Sequence, residues 1–480
     1  MPAQLATQLL TAPPPTAVDG DLWEPPVFDR ALIRKYDQPG PRYTSYPTAP
    51  FFRDDFGVAG YERLLRRSAD NGAPLSLYVH VPFCDTRCLF CGCNVAIARD
   101  RGRGRTYLRH LDGEIARVAE LSDAPGRRVV QVHWGGGTPT FLPPAEIAEL
   151  GQMLRGRFPF DPEVEYGVEV DPRRCTPEQL DALAANGVNR LSLGVQDVDP
   201  RVQEAVHRIQ PLEMTREVIA GARQRGIRSL NVDLIYGLPH QTAESFARTV
   251  DAVLSLAPDR LAVFNFAFLP EMLPHQRALD PSAMPSPDEK LTILEGVVVR
   301  LTEAGYVFIG MDHFARPDDP LAQELRSRRL TRNFQGYSTH GDADLIGFGA
   351  SSIGQVGGGY AQNERGVGTY QATVGTGALA TARGLELSAD DELRRDVIVR
   401  LMCHFRLDKA EVAERHGIDF DRTFAAALDR LRPLADDGLV TLGADRLEVT
   451  PLGRLLVRNV AMAFDAYLAV RPEQRFSRTV

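Results

Sequence analysis

In "YVHVPFCDTRCLFCGCN" (78–94), Cys84, Cys88, Cys91 and Cys93 are separated by three, two and one residues. With no export signal on the chain, thiols this close point to metal or redox chemistry rather than a structural disulfide. Closed zinc sites usually pair two C-x2-C knuckles, and no second knuckle is present. The other two cysteines, Cys175 and Cys403, lie far from the loop and from each other, and both are expected to be buried and inert. In an extended loop Cys93 would alternate away from Cys91, leaving Cys84, Cys88 and Cys91 as three thiolates on one compact turn. A cubane held by three protein thiolates leaves one iron without a protein ligand. Such an iron can bind and activate a small chelating molecule, unlike the closed four-cysteine cluster of an electron carrier.

A loop of this kind needs a rigid support. From about residue 75 to 315 a short β-rich run, a polar or glycine-rich tip and a helical stretch recur. The runs are "LSLYVHVPF" (75–83), "RVVQVHWGGG" (128–137), "VEYGVEVDP" (164–172), "RLSLGVQD" (190–197), "LNVDLIYGLP" (230–239), "RLAVFNFAFLP" (260–270) and "YVFIGMDHF" (306–314). Amphipathic stretches such as 177–187 and 285–304 lie between them. This alternation predicts an α/β fold with a parallel sheet, and six or seven such units fit a full or partial barrel better than an open sheet. In such barrels the C-terminal strand ends form the active face. The tips at His80, Gly135 to Gly137, Glu169, Asp171, Gln196, Asp197, Asp233, Asn265, Asp312 and His313 should therefore share one mouth. Asp171, before Pro172, is also a natural turn or capping residue.

The rest of the chain divides by composition. Residues 1–29, rich in Ala, Pro and Thr, carry neither the pattern of a secretory signal nor that of a transit peptide and are expected to form a disordered tail. An arm (30–74) precedes the barrel domain (75–385). In a small, mostly helical C-terminal domain (386–480), consecutive helices over 390–437 lead into a β-hairpin and a helix, a winged-helix-like pattern. The chain has 480 residues, 44% hydrophobic and 25% charged, with a formal charge of −8. That argues against a nucleic-acid binder, and no apolar run approaches membrane-spanning length.

The cysteine loop after a first barrel strand, followed by "WGGGTPT" (134–140), resembles the signature of the radical S-adenosylmethionine (SAM) enzymes. Longer stretches resemble one family of that superfamily, the oxygen-independent coproporphyrinogen III oxidases: "GPRYTSYPTA" (40–49), "CGCN" (91–94), "EVDPR" (169–173), "LSLGVQD" (191–197), "NVDLIYGLPHQT" (231–242), "FIGMDHFARPDD" (308–319), "RNFQGYSTHGDADLIGFG" (332–349) and "GRLLVRNVAMAFDAYL" (453–468). The resemblance runs from about residue 30 to the C-terminus. It implies a partial (β/α) TIM-like barrel in which Cys84, Cys88 and Cys91 hold a [4Fe–4S] cluster and Cys93 is not a ligand. SAM would chelate the open iron, and an electron from the cluster would cleave it to methionine and a 5′-deoxyadenosyl radical.

The resemblance also implies two SAM molecules. Tyr78, Gly136, Glu169 and Ile353 match contacts to the first; Phe90, Gly137, Thr138, Gln196, Arg208, Asp233 and Ala267 match contacts to the second. The implied reaction converts two propionates of coproporphyrinogen III to vinyls, giving protoporphyrinogen IX, in a cytoplasmic monomer served by an electron donor and an unidentified acceptor. The C–H bond beside a propionate has no useful acidity, so acid–base catalysis is a poor route and a cofactor radical a good one. Arg42, Arg332 and Lys35 are candidate partners for the substrate's four carboxylates. Tyr43 and Tyr46 are candidates to cover it, and Gln335 to hydrogen-bond a ligand. The alternative is a heme-chaperone-type relative, in which "CGCN", "RYTSYP" and "RNFQGYST" would be weak or missing. A plain electron carrier would not need the polar barrel mouth.

Overall fold

The computed structural model describes residues 22–468 and 476–479, so residues 1–21 of the expected tail lie outside the described residues. The chain forms two compact units, one of Tyr43–Ile293 with Arg332–Arg395, the other of Met1–Arg42, Leu294–Thr331 and Asp396–Val480.

Ten strands of the first unit form one sheet: β1 (Leu75–Val81), β2 (Val129–Gly136), β3 (Phe160–Val170), β4 (Arg190–Gln196), β5 (Ser229–Tyr236), β6 (Arg260–Asn265), β7 (Asp344–Phe348), β8 (Ile353–Val356), β9 (Gly359–Asn363) and β10 (Thr381–Glu386). Their order is β10-β9-β8-β7-β1-β2-β3-β4-β5-β6. From β7 to β6 every pairing is parallel; β8 to β10 extend the β7 edge antiparallel. The six parallel runs read from sequence up to residue 270 are β1 to β6. The four later strands were not anticipated: they are short, and glycines interrupt their alternation. The seventh run, 306–314, is not one continuous strand. It turns at Met311 (φ 50°) into an antiparallel pair, Val307–Gly310 with His313–Ala315, in the other unit.

The parallel strands bury the face covered by helices; in β4 Leu191, Leu193 and Val195 are buried and the alternate residues half-buried. Leu75, Leu77, Val79 and Val81 of β1 pack outward into an apolar cluster that includes Leu108, Leu111 and Ile115 of the helix Gly102–Leu121. Trp134 joins it, edge-on to Tyr166 with ring centroids 5.4 Å apart. The alternate side chains are polar and link across strands in layers. In the lower layer Ser76 donates to Gln131 (2.9 Å) and Gln131 to Glu165 (2.9 Å). Glu165 in turn accepts from Arg190 at 2.9 Å and lies 3.9 Å from Arg260. Burial opposes the charge on Glu165, but the two guanidiniums outweigh it and pull its pKa down to about 2.

The expected arm is divided between the units. Residues 43–74 belong to the first, where Tyr46 is fully buried and the Tyr360 hydroxyl donates to its carbonyl (3.1 Å). Phe52 stacks on Tyr360 with centroids 5.3 Å apart. In the second unit the stretch 22–29 makes defined contacts: Trp23 Nε1 donates to the Ala322 carbonyl (3.1 Å) and Asp29 caps the helix Arg30–Tyr36. This unit also contains the helices Lys409–His416 and Ala425–Asp436 and a small sheet of Arg406–Asp408, Arg446–Val449 and Val440–Leu442. No described helix is long and apolar enough to cross a membrane.

Glu165 carries the pH dependence of the lower layer. Its folded pKa is depressed, so its contribution is present above the unfolded value near 4.5 and is lost as pH falls toward 2. That contribution is about 3 kcal/mol. Glu165→Gln should therefore lower the urea midpoint at pH 7 and flatten the decline in stability between about pH 5 and 2.

Candidate cofactor and substrate site

The cysteine loop leaves β1 and is clamped along its length. Phe83–Cys84 bridges in parallel to Ala96–Ile97, and Ala98 N–H donates to the Cys84 carbonyl (2.9 Å). Leu89 N–H donates to the Val206 carbonyl (3.0 Å), and His275 Nε2 bonds the Cys91 carbonyl (2.8 Å). Cys84, Cys88, Cys91 and Cys93 line one wall of a cavity of about 350 Å³, within the size range of small-ligand sites. Among the described residues no three His, Cys, Asp or Glu side chains converge closely enough to hold a single metal ion.

The expected orientation of Cys93 is corrected. Its thiol does not turn away from Cys91: the two side chains interact, which lowers the pKa of Cys91 and raises that of Cys93. A tight turn closed by Cys91 N–H to the Cys88 carbonyl (3.2 Å) leads into this stretch, and residues 91–95 are not in a strand, so strand alternation does not apply. Cys93 has appreciable surface area, but that surface opens into the cavity. Burial, and then the neighbouring Cys91 and Cys88, push the Cys84 thiol up to about 12.

The opposite walls come from β2 to β5. Gly136 has φ +114°, a conformation glycine adopts freely. A Cβ on Gly137 would lie 2.5 Å from the Phe83 carbonyl oxygen and 2.8 Å from the Phe83 nitrogen. Glu169 reaches over this turn, accepting from Gly136 N–H (3.1 Å) and bonding His133 Nε2 (3.2 Å). Burial opposes its charge, but those bonds prevail and hold its carboxyl below the usual range. Asp233 is the reverse case: burial first, and then the charge of Glu169, raise it to about 6 despite bonds from Asn231 and Ser192.

At the cavity floor Arg208 donates to Asp171 (3.3 Å) and to the Gly194 carbonyl (2.6 Å). Its Nε, and Oε1 of Gln196, are buried without a partner among the described residues, and Gln196 has a left-handed backbone (φ 71°). Orphaned buried donors and acceptors cost free energy unless a ligand satisfies them. Three thiols, a backbone cradle at Gly136–Gly137, two carboxylates and these orphaned groups fit a thiolate-held cluster and a zwitterionic ligand.

Of the predicted contacts, Phe90, Gly136, Gly137, Thr138, Glu169, Gln196, Arg208 and Asp233 line the cavity; Tyr78, Ala267 and Ile353 lie outside its lining. The Tyr78 hydroxyl bonds His80 Nδ1 (3.0 Å), Ala267 is exposed beyond the end of β6, and Ile353 opens β8. Asp197 is buried among Gln241 and Thr249, away from the lining. Asp171 does both jobs considered for it, capping the turn Pro172–Arg174 and lining the cavity.

Several lining residues were not foreseen: Asp85, Arg173, Arg174, Ser192, Gly194 and Phe264. For Arg173 and Arg174 a signal existed, since they directly follow a strand tip in "EVDPRR". Among the substrate candidates, Lys35 pairs with Asp437 and Arg42 with Asp312. Arg332 is buried over the Tyr337 ring at 4.7 Å, and Gln335 Nε2 is buried without a partner. Cys403 is buried and Cys175 partly so, with its thiol pushed by burial to about 12.

Residues 78–253 match the radical SAM superfamily and residues 387–456 the HemN C-terminal domain. Over 455 residues the chain is 48% identical to the oxygen-independent coproporphyrinogen III oxidase of Pseudomonas aeruginosa, covering 94% of this chain and 99% of that one. The Escherichia coli K12 protein of the same name is 48% identical over 454 residues, covering 94% and 98%. Among solved structures, Escherichia coli coproporphyrinogen III oxidase (HemN), described as a radical SAM enzyme, superposes with a TM-score of 0.89 at 47% identity. That match covers 93% of this chain and all of the other.

Two glycines give contrasting steric tests. Gly137→Ala must displace the backbone beside Cys84, whereas a Cβ on Gly92 meets nothing within 4 Å. Gly137→Ala should cost about 1–3 kcal/mol and lower the iron taken up on anaerobic reconstitution. Gly92→Ala should match the parent in thermal midpoint and iron content.

Proposed function

The chain belongs to the oxygen-independent coproporphyrinogen III oxidases of the radical SAM superfamily, and from that premise we propose that it converts two propionates of coproporphyrinogen III to vinyl groups, giving protoporphyrinogen IX without oxygen. The observation that carries this reading is that Cys84, Cys88 and Cys91 line the same cavity as Glu169, Gln196, Arg208 and Asp233. Cluster ligands and groups able to hold a zwitterion thus share one enclosure. A [4Fe–4S] cluster and SAM, when bound, supply a carbon radical able to take hydrogen from an unactivated C–H bond.

The chain's own residues bind, orient and shield. Cys84, Cys88 and Cys91 are the proposed iron ligands. Gly136, Glu169, Tyr78 and Ile353 are assigned to a first SAM. Phe90, Gly137, Thr138, Gln196, Arg208, Asp233 and Ala267 are assigned to a second. Support for individual roles is chemical: Glu169 is held ionised by His133 and Gly136 and can accept from an ammonium or hydroxyl. Among the described residues Arg208 keeps a buried unused donor, which suits a carboxylate. Asp233, raised to about 6, would gain most from a cationic partner. Phe90 and Phe264 add apolar surface to the lining and so help exclude water.

The reading includes an external one-electron donor, a separate electron acceptor, a monomeric state and a cytoplasmic setting, the last supported by the oxygen sensitivity expected of an open iron. An unpartnered Gln335 Nε2 in "RNFQGYST" supports a polar contact with substrate from that loop.

Anaerobically reconstituted protein given dithionite, SAM and coproporphyrinogen III should release 5′-deoxyadenosine, carbon dioxide and the divinyl product, resolved by mass. Tight heme binding with no decarboxylation would instead make it a heme chaperone. A separate measurement addresses ligation. Cys84→Ser, Cys88→Ser and Cys91→Ser should each lose the cluster's iron and visible absorption, whereas Cys93→Ser should keep both. Iron loss in Cys93→Ser would make Cys93 a ligand.

A further inference from the structure

Two guanidiniums reach the sulfur of Cys88. Arg173 Nη2 lies 3.4 Å from it and Arg208 Nη1 3.6 Å. Both are anchored on the Asp171 carboxylate. Arg173 holds it through Nε to Oδ1 (3.0 Å) and Nη2 to Oδ2 (2.7 Å), and Arg208 through Nη1 to Oδ2 (3.3 Å). Asp171 is fixed in turn by its cap on Arg173 N–H (3.0 Å) and by its own N–H to Thr138 Oγ1 (3.3 Å). Side-chain exposure is 15% for Arg173 and 12% for Asp171, so little water screens the group.

The two arginines differ in where their remaining donors go. Arg208 also braces the Gly194 carbonyl and keeps a buried Nε free, which suits it to a ligand. Among the described residues, the side-chain hydrogen bonds of Arg173 go to Asp171 and Cys88 alone. Its position therefore serves the sulfur.

We propose that Arg173 is a positioning residue for the iron–sulfur centre: oriented by Asp171, it donates to the Cys88 thiolate and raises the centre's reduction potential. The proposal rests on the cluster reading given above. When an external one-electron reductant reduces the centre, it adds one negative charge to the iron, sulfide and thiolate assembly. An N–H donor and a fixed positive charge beside a ligand sulfur stabilise the more negative state. The low local dielectric enlarges the effect, and the Asp171 charge reduces it without cancelling it, because the hydrogen bond to the sulfur comes from the guanidinium. A planar fork can hold Asp171 with one edge while aiming an N–H at sulfur, a geometry a lysine ammonium does not reproduce.

The test uses the full chain, reconstituted anaerobically with iron and sulfide and titrated with dithionite in the presence of redox mediators. EPR follows the reduced cluster, and neither SAM nor substrate is present. Arg173→Gln should keep the parent's iron and sulfide content while its midpoint moves negative. At the parent's midpoint the reduced-to-oxidised ratio should fall on the order of tenfold, a negative shift of about 59 mV for a one-electron couple. Arg173→Lys, which keeps the charge, should move less in the same direction. A loaded Arg173→Gln with an unchanged or more positive midpoint overturns the proposal. If Arg173→Gln does not load, Arg173→Lys decides: a negative shift supports the role, while an unshifted midpoint or failure to load overturns it. Failure of the unmodified chain to take up iron and sulfide would overturn the cluster reading itself.

Discussion

The register of the parallel strands governs everything built on them. Tyr78 stands beside His133, His133 beside Gly167, and Gly167 beside Arg190. Because side chains alternate with period two, this alignment sorts the inward residues into layers. Ser76, Gln131, Glu165 and Arg190 close the lower layer with hydrogen bonds and charge. One step up, His133 and Glu169 meet over Gly135 and Gly136. A slip of one residue would turn each of these groups into the apolar cluster and bring leucines and valines inward. The position of the site is thus a consequence of sheet pairing more than of any single contact.

Within that frame, charge is balanced locally. Glu169 is satisfied by a histidine and a backbone N–H, Asp171 by two guanidiniums, and Glu165 by Arg190 with Arg260 nearby. Asp233 has only neutral donors and a nearby like charge, which is why its carboxyl alone among these four is raised. Buried ionic groups are costly unless paired, so this asymmetry marks the direction from which a cationic ligand would be welcome. Gln196 and Arg208, which carry partnerless buried atoms among the described residues, line the same cavity. Electrostatics and hydrogen-bond accounting therefore converge on one enclosure.

The glycines of β2 set the closeness of approach. Without Cβ atoms at Gly135, Gly136 and Gly137, Glu169 can cross the strand end while the turn lies against Phe83, the residue before Cys84. The cysteine loop is short, and Leu89 and Phe90 anchor it in an apolar cluster with Val202, Val206 and Leu238. Its clamps come from Ala98, Val206 and His275, residues up to 184 positions away from the cysteine they hold. Chemistry concentrated in ten residues is held in place by distant chain segments.

Much was legible in the sequence because it depends on local pattern. The spacing of Cys84, Cys88 and Cys91, the alternation of β1 to β6 and the glycine run after β2 are all local, and the family motifs preserve them. Strands β7 to β10 were missed because short, glycine-broken segments acquire strand character from neighbours rather than from their own periodicity. Cys93 was misread because alternation holds in a strand and fails in a turn. The convergence of Arg173 and Arg208 on Cys88, from positions 85 and 120 residues later, leaves no local signature. Sequence alone determined which reactive groups the chain carries and what repeating fold supports them, since residue type and periodicity are properties of short stretches. The tertiary structure decided which of those groups face one another and share a dielectric environment, because distances between remote strands follow only from the register of the closed pairings.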